Sequence, residues 1–289
     1  PDGDAAVGYR VRLGTAVASG DPVGAPEAWG AAIEAFVLMA RRLGLRVAVL
    51  GAGERAREIW ATHRLCAVAV GRDVVLKRET FTLSGRRFRN VRQAVQRSHN
   101  AGVVVEFSRE RELAARDIAQ LRALMRDTKR RDGRGFSMIL GRLFDGAEPD
   151  AVVGIARDAS GRIVGAHRYL WAGPRDLSLD LPIRANAAPN GVDERLIAEA
   201  LAWGGVNGVE RVSLAFAPFP DLFVNRHNLG VGGRVAFAAV HLLDPLIRVE
   251  RLYRYLRKFN AFDQQRYVMF RRRQVVVVAV ALLLLEFGR

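Results

Sequence analysis

One pattern occurs twice in this chain of 289 residues, and it constrains the fold more than any other feature. In TAVASGDPVGAPEAWGAAIEAFVLMARRLGLRVAVLG, residues 15–51, a strand-like run leads through a Pro-containing loop into a helix, a Gly turn and a second strand. In LSLDLPIRANAAPNGVDERLIAEALAWGGVNGVERVSLAFA, residues 177–217, the order is the same, with the helix near Val192 to Trp203 and the second strand near Arg211 to Phe216. Apolar residues at helical spacing between two short apolar runs mark a strand–helix–strand crossover. The chain therefore reads as two similar α/β units, and a hydrophobic content of 50% is enough to build their cores.

Before the second copy stands AVVGIARDASGRIVGAHRYLWA, residues 151–172, where DASGR between two apolar runs marks a hairpin and LSLDL is the next strand. Antiparallel strands followed by a helix and a further strand are the order of the acyltransferase fold called GNAT. The expected fold class is α/β, a tandem of two GNAT-like domains with mixed sheets. The charge- and Gly-rich run Thr128 to Gly135 is the natural boundary. It gives an N-terminal domain over 1–130, with a basic helix at 86–100, and a C-terminal domain over 136–289 ending in helices.

A formal net charge of +15 and a pI near 11.2 point to an anionic partner such as nucleic acid, phospholipid headgroups or phosphorylated ligands, and charge alone does not choose among them. RRFRNVRQAVQRSHNAG, residues 86–102, concentrates that charge, and no Asp or Glu occurs between Glu79 and Glu106. At helical spacing Phe88, Val91 and Val95 make one apolar stripe, while Arg89, Arg92, Gln93 and Gln96 share another face. By itself such a face reads as an ordinary solvated helix surface, with binding as the alternative. The single cysteine, Cys66, excludes an internal disulfide framework and Cys-based zinc motifs, so a reducing compartment is the default. The chain opens on PDGDAAVGYR, without Met or a basic-then-apolar start, and reads as a piece of a longer protein. Its longest apolar run, Val275 to Leu285, is too short to cross a bilayer. It is expected to be a buried terminal helix or strand, with membrane-surface contact as the alternative.

Candidate chemistry falls on three segments. In PLIRVERLYRYLRKF, Leu252, Tyr255, Leu256 and Phe259 form the apolar face, and Glu250, Arg254 and Lys258 stack at i, i+4 and i+8 opposite it. Either they are a solvated ladder, or Arg254 and Lys258 hold an anion that Glu250 helps to orient. Lys occurs only at Lys77, Lys129 and Lys258, which draws attention to the last. Asp180 ends LSLDL and Arg184 follows it, a placement shared by site residues and helix caps. In APNG, Asn190 and Gly191 place a turn at a helix start whose free amides can receive a phosphate or carbonyl oxygen. No G-x-S-x-G or Walker loop occurs, and His63, His99, His167, His227 and His241 show no metal spacing. An enzyme of this kind would align two substrates without a metal, a cofactor or a protein-bound intermediate.

In order and spacing, the segments ASGDPVGAPEAW, RNVRQAVQRSHNAGV, RGFSM with LGR, LSLDL, APNGV, RVSLAF and LYRYLRKF resemble the cytoplasmic domain of the aminoacyl-phosphatidylglycerol synthases, the multiple peptide resistance factor family. The resemblance implies a pair of GNAT-like domains that move an aminoacyl group, lysyl in the best-known members, from aminoacyl-tRNA to the glycerol hydroxyl of phosphatidylglycerol. It places the reaction at the inner face of the plasma membrane, next to an N-terminal transmembrane domain outside this chain. Asp180 and Glu250 then become acid/base or amine-binding groups, and Lys258, Arg184 and Arg254 bind phosphate or oxyanion. Asp180 and Lys258 are expected to converge to within roughly 10 Å, the reach of an ester and its attacking hydroxyl. Arg89 and Arg92 would meet tRNA phosphates or lipid headgroups, and Asn190 and Gly191 would line the substrate. Pro182 and Ile183 stand where the family carries Met and a first Arg, and Ala215 replaces a polar residue. An acyl-CoA N-acyltransferase and a non-catalytic module for tRNA or anionic membranes are the competing readings.

Overall fold

The computed structural model describes residues 3–132, 143–218 and 249–287. In chain order, β1 (Ala5–Ala6), β2 (Tyr9–Arg12), β3 (Thr15–Ala18) and β4 (Val23–Gly24) lead to helix α1 (Trp29–Arg42), β5 (Arg46–Ala52), α2 (Glu54–Thr62) and β6 (Cys66–Lys77). Then come α3 (Arg89–Asn100), β7 (Val104–Arg109), α4 (Ala115–Asp132), β8 (Val152–Arg157), β9 (Ile163–Trp171), β10 (Asp176–Arg184), α5 (Val192–Val206) and β11 (Arg211–Pro218). Among the described residues the chain closes with α6 (Val249–Arg257), β12 (Phe262–Phe270) and α7 (Val275–Phe287).

Two compact units result, and they are not consecutive halves. The first comprises Pro1–Asp73, Phe216–Tyr253 and Asp263–Arg289, and the second Val74–Ala215 with Arg254–Phe262. This differs from the division at 130/136, for two packing reasons. Strand β12 returns to pair antiparallel with β5, Met269 opposite Val49, which ties the end of the chain to its beginning. The basic helix α3 packs on α5 instead of on the first unit: the turn before α5 comes so close that a Cβ on Gly191 would stand 1.9 Å from the carbonyl oxygen of Ala94. The expected boundary segment continues helix α4 as far as Asp132, and its last residues lie outside the described residues.

In the first unit the repeated pattern is a crossover in which β3 and β5 run parallel, flanked by antiparallel β2 and β12. Helix α1 forms because Ile33, Phe36, Val37 and Ala40 recur on one face. It ends where Arg41 and Arg42 meet the negative end of the helix dipole and Gly44 takes φ 66°. Its apolar face closes on a core with Val49, Trp60 and Met269. Helix α7 covers part of the same unit through Val278, against Val17 and Ala48.

In the second unit β7, β8, β9 and β10 form an antiparallel run, and β11 adds parallel to β10 across α5. Side chains alternate between the two faces of the sheet. Val153, Ile155, Ala166, Leu181 and Ile183 pack with Leu121 under α4, and Ala156 and Val164 pack with Val192 and Leu196 of α5. The hairpin expected at DASGR is present, with the Asp158 carboxylate accepting from the amides of Ser160 and Arg162 at 3.0 and 3.1 Å. The stripe on α3 is buried as expected: Phe88 is 4% exposed, Val91 0% and Val95 8%.

Candidate functional site

At its C-terminal half β9 turns polar on both faces. Toward α4, Arg168 donates from Nε to Glu110 Oε2 at 2.7 Å and from Nη1 to Asp180 Oδ2 at 2.6 Å. Its guanidinium also lies over the ring of Phe144. Burial opposes the Arg168 charge, but the hydrogen bonds and negative charge of Glu110 and Asp180 outweigh it and hold the proton more firmly than usual. Asp180 is turned to this face at an irregularity of register between Leu179 and Leu181. Arg168 and Glu110 are both nearly solvent-free, which makes the triad a closed charge centre.

Toward α5 the same strand presents His167 and Tyr169. His167, 1% exposed, has Nδ1 3.1 Å from the Tyr169 hydroxyl and Nε2 3.3 Å from Asp193 Oδ1 in the first turn of α5. The other Asp193 oxygen accepts from Arg184 Nη1 at 3.3 Å, and Arg184 Nη2 donates to the carbonyls of Ala188 and Pro189 at 3.0 and 3.3 Å. Arg184 thereby braces the loop entering α5. Next in the helix, Glu194 accepts from Lys258 Nζ at 2.8 Å, and Lys258 lies over the ring of Tyr255. The Tyr255 hydroxyl is buried without a hydrogen-bond partner among the described residues.

The electrostatics follow from this packing. Burial works against ionisation of Asp193, but the hydrogen bond and charge of His167, with Arg184 behind them, hold its carboxyl below the usual range. Burial pushes the Tyr169 phenol up, and the Asp193 charge adds to it. Tyr255 is raised by burial first, then by Asp193, Glu194 and Tyr169, with Arg184 partly opposing. Both phenols therefore stay neutral donors at any physiological pH. The edge that solvent reaches carries Lys258, 38% exposed, and Arg184, 35% exposed, beside Asp193. Two cations can hold an oxyanion or phosphate there, and two carboxylates can hold an ammonium. Among the described residues no group of three or more His, Cys, Asp or Glu is placed to hold a metal ion.

The structure brings together Arg184 and Lys258 of the sequence candidates and adds His167, Tyr169, Asp193, Glu194 and Tyr255. Asp180 pairs with Arg168 on the α4 face, whereas Lys258 meets Glu194 on the α5 face, so the ionic partners of Asp180 and Lys258 are Arg168 and Glu194. Glu250 is the second residue of α6, and its side chain lies outside the described residues; Arg254 is exposed on that helix. Asn190 is exposed, and Gly191 serves backbone packing, with φ 96° and no room for a Cβ against Ala94. Arg92 spends its guanidinium on the carbonyls of Leu83 and Gly85 at 2.7 and 2.9 Å, while Arg89 is exposed. The one available signal for the missed residues was the acidic pair Asp193–Glu194 at the start of the repeated helix.

Residues 1–270 match the family model described as phosphatidylglycerol lysyltransferase, C-terminal. An MprF-like domain protein of Mycobacterium tuberculosis is 46% identical over 293 residues, covering 99% of this chain and 60% of that protein. The lysylphosphatidylglycerol biosynthesis bifunctional protein LysX of Mycolicibacterium gilvum is 36% identical over 301 residues, covering 100% of this chain and 27% of that protein. The chain thus spans 60% and 27% of the lengths of these relatives. The crystal structure of the C-terminal domain of a putative lysylphosphatidylglycerol synthetase from Agrobacterium fabrum superposes with a TM-score of 0.80 at 20% identity, over 99% of this chain and 87% of that one. L-PGS from Bacillus licheniformis gives 0.76 at 18% identity, over 100% of this chain and 88% of that one. At such identities the two likenesses establish the shared fold, and the family follows from the sequence match: the chain belongs to the phosphatidylglycerol lysyltransferase C-terminal family.

Proposed function

We propose that this protein transfers an aminoacyl group, lysyl in the first instance, from aminoacyl-tRNA to the glycerol hydroxyl of phosphatidylglycerol at the inner face of the plasma membrane, and that the polar cluster at the start of α5 carries the transfer. The observation that carries this reading is the pairing of Asp193 and Glu194 with cations drawn from other elements, Arg184 and Lys258, at one helix start. The remaining length of the relatives leaves room for a transmembrane domain that would present the lipid.

An ester on ribose is already activated, so the chemistry is alignment and charge stabilisation. The lipid hydroxyl oxygen attacks the ester carbonyl carbon and gives its proton to solvent water at this open edge, which later returns one to the leaving ribose oxygen. The tetrahedral oxyanion then collapses, and the ribose oxygen leaves and takes up a proton. Lys258 and Arg184 stabilise the oxyanion, and the neutral Tyr255 hydroxyl donates to it. Asp193, kept ionised by His167 and Arg184, binds the ammonium of the donor amino acid. His167 acts through Asp193 as a positioning residue. Exposed Arg89 on α3 contributes a contact for tRNA phosphates, and Arg92 shapes the loop beside it.

An acyl-CoA N-acyltransferase is disfavoured by one specific observation: the first turn of α5 carries two carboxylates where that chemistry needs bare amides for a pyrophosphate. Thin-layer chromatography of lipids from cells expressing the full-length protein tests the proposal. A new aminoacylated phosphatidylglycerol species is expected, absent with Asp193→Asn. A lipid profile identical to that of empty cells would leave the non-catalytic binding module as the better reading.

A further inference from the structure

Helix α7 departs from the expectation of a buried apolar segment. As far as Leu285 it is apolar on every side, with Val278 and Ala281 at 1% and 0% exposure against the first unit, yet Val276, Val280 and Leu284 at i, i+4 and i+8 are 71%, 42% and 40% exposed. An all-apolar helix calls for cover on its outer face as well as its inner one. At 13 residues it is too short to cross a bilayer, and among the described residues no helix is long and apolar enough to do so. The helix also lies beyond residue 270, where the family match ends.

Its N-terminal end says what covers it. Arg271, Arg272 and Arg273 are exposed immediately before the helix, where the dipole disfavours cations, and no acid stands in the first turn. Among the described residues none of the three forms an ion pair. At the same end a cavity of about 340 Å³ is lined by Arg41, Arg46, His63, Arg271 and Gln274 on its polar side, with no acidic residue in its lining. An apolar face bounded by unmatched guanidinium groups complements a surface with exposed acyl chains and anionic headgroups, and the basic cavity has the charge and size for a lipid phosphate.

We infer that α7, with Arg271–Arg273, docks the first unit on the surface of an anionic phospholipid bilayer. The inference goes beyond the transferase reading and holds or fails without it. The experiment is co-sedimentation of the 289-residue chain with vesicles of phosphatidylcholine alone and of phosphatidylcholine with phosphatidylglycerol at about seven to three. Binding is expected to the mixed vesicles and not to the neutral ones. Replacing Arg271, Arg272 and Arg273 by Gln should weaken it about a hundredfold, at about fivefold for each charge near the surface. Val276→Ser with Val280→Ser and Leu284→Ser keeps every Arg and should weaken binding at least tenfold. Val276→Ser alone, a substitution at the most exposed of the three positions, should show about a threefold loss with unchanged melting, which separates docking from folding. Serine variants that bind like the unmodified chain would overturn the inference, as would equal binding to neutral vesicles. It would also be overturned if the chain were a dimer that the serine variant converts to monomer without loss of vesicle binding.

Discussion

The crossovers of the two units follow the same path and differ in what stands at the start of the helix. Helix α1 has no acid in its first turn; the turn before it carries the exposed pair Glu27–Arg55 at 3.6 Å, and its unit also holds Arg266, which donates to Asp21 and Asp73 at 2.6 Å each. Helix α5 opens with Asp193 and Glu194, each paired to a cation from elsewhere, next to a phenol with no hydrogen-bond partner among the described residues. Both units contain an Arg between two carboxylates, Arg266 in one and Arg168 in the other, so that device belongs to the fold. Helix α5 adds to that device a first turn whose two carboxylates are each held by a cation from another part of its unit, at an edge that solvent reaches. One crossover holds a sheet together, and the other has the groups to hold a substrate.

Glycine substitutions break the comparison most sharply. Gly191→Ala places a methyl against the Ala94 carbonyl at φ 96° and should cost about 3 kcal/mol or more in urea unfolding. Gly30→Ala, near the start of α1 and with open space around it, should gain about 0.5–1 kcal/mol. Equal effects would mean that the two helix starts are packed alike.

The Arg centres come next. Arg168→Met strands the buried carboxylate of Glu110 and the partly buried one of Asp180 and should cost about 3 kcal/mol. Arg266→Met, at a centre 24% exposed, should cost about 1 kcal/mol in the same measurement. Lys258→Met belongs with the smaller effect: Lys258 is half-buried, but its loss leaves the 8%-exposed Glu194 without its cation, so a cost of about 1 kcal/mol replaces the negligible one that an exposed ladder would give.

Acid titration sharpens the same contrast. The Asp193 carboxyl has a folded pKa below its unfolded value, so the stability it contributes is full above about pH 4 and is lost as the pH falls through the depressed folded value. Asp193→Asn should therefore flatten the acid limb of the stability curve below about pH 4 and leave its shape near neutrality unchanged. An unaltered acid limb would deny the coupling to His167 and Arg184. The smallest effect is on α3, where Arg89→Ala should lower the salt slope of tRNA binding by about one with no change in melting, while Arg92→Ala should also cost about 1 kcal/mol by freeing the loop at Leu83 and Gly85.

Local pattern made much of this fold legible in the sequence. The two crossovers, the hairpin at Asp158–Arg162 and the buried stripe of α3 all depend on neighbours within a few residues. The partition into units was not legible, because it turns on β12 returning to β5, a pairing between residues 262–270 and 46–52 that no local periodicity encodes. The site was half legible for the same reason. Arg184 and Lys258 stand out by type and position, but His167 on β9, Asp193 on α5 and Lys258 just past α6 come from three separate stretches of chain, and only the folded sheet decides which face each one meets. Asp180 shows the limit most clearly: a one-residue irregularity between Leu179 and Leu181 sends it to Arg168 and away from α5.

The central claim, that the start of α5 is where an aminoacyl group changes hands, is tested most directly by following radiolabelled lysine from lysyl-tRNA into phosphatidylglycerol with the full-length protein. The account predicts turnover by the unmodified protein, unaltered turnover with Arg266→Met, and a loss of about a thousandfold with Asp193→Asn while the thermal melt stays cooperative. Full transfer by Asp193→Asn, or equal losses from the Arg266 and Asp193 variants, would contradict it.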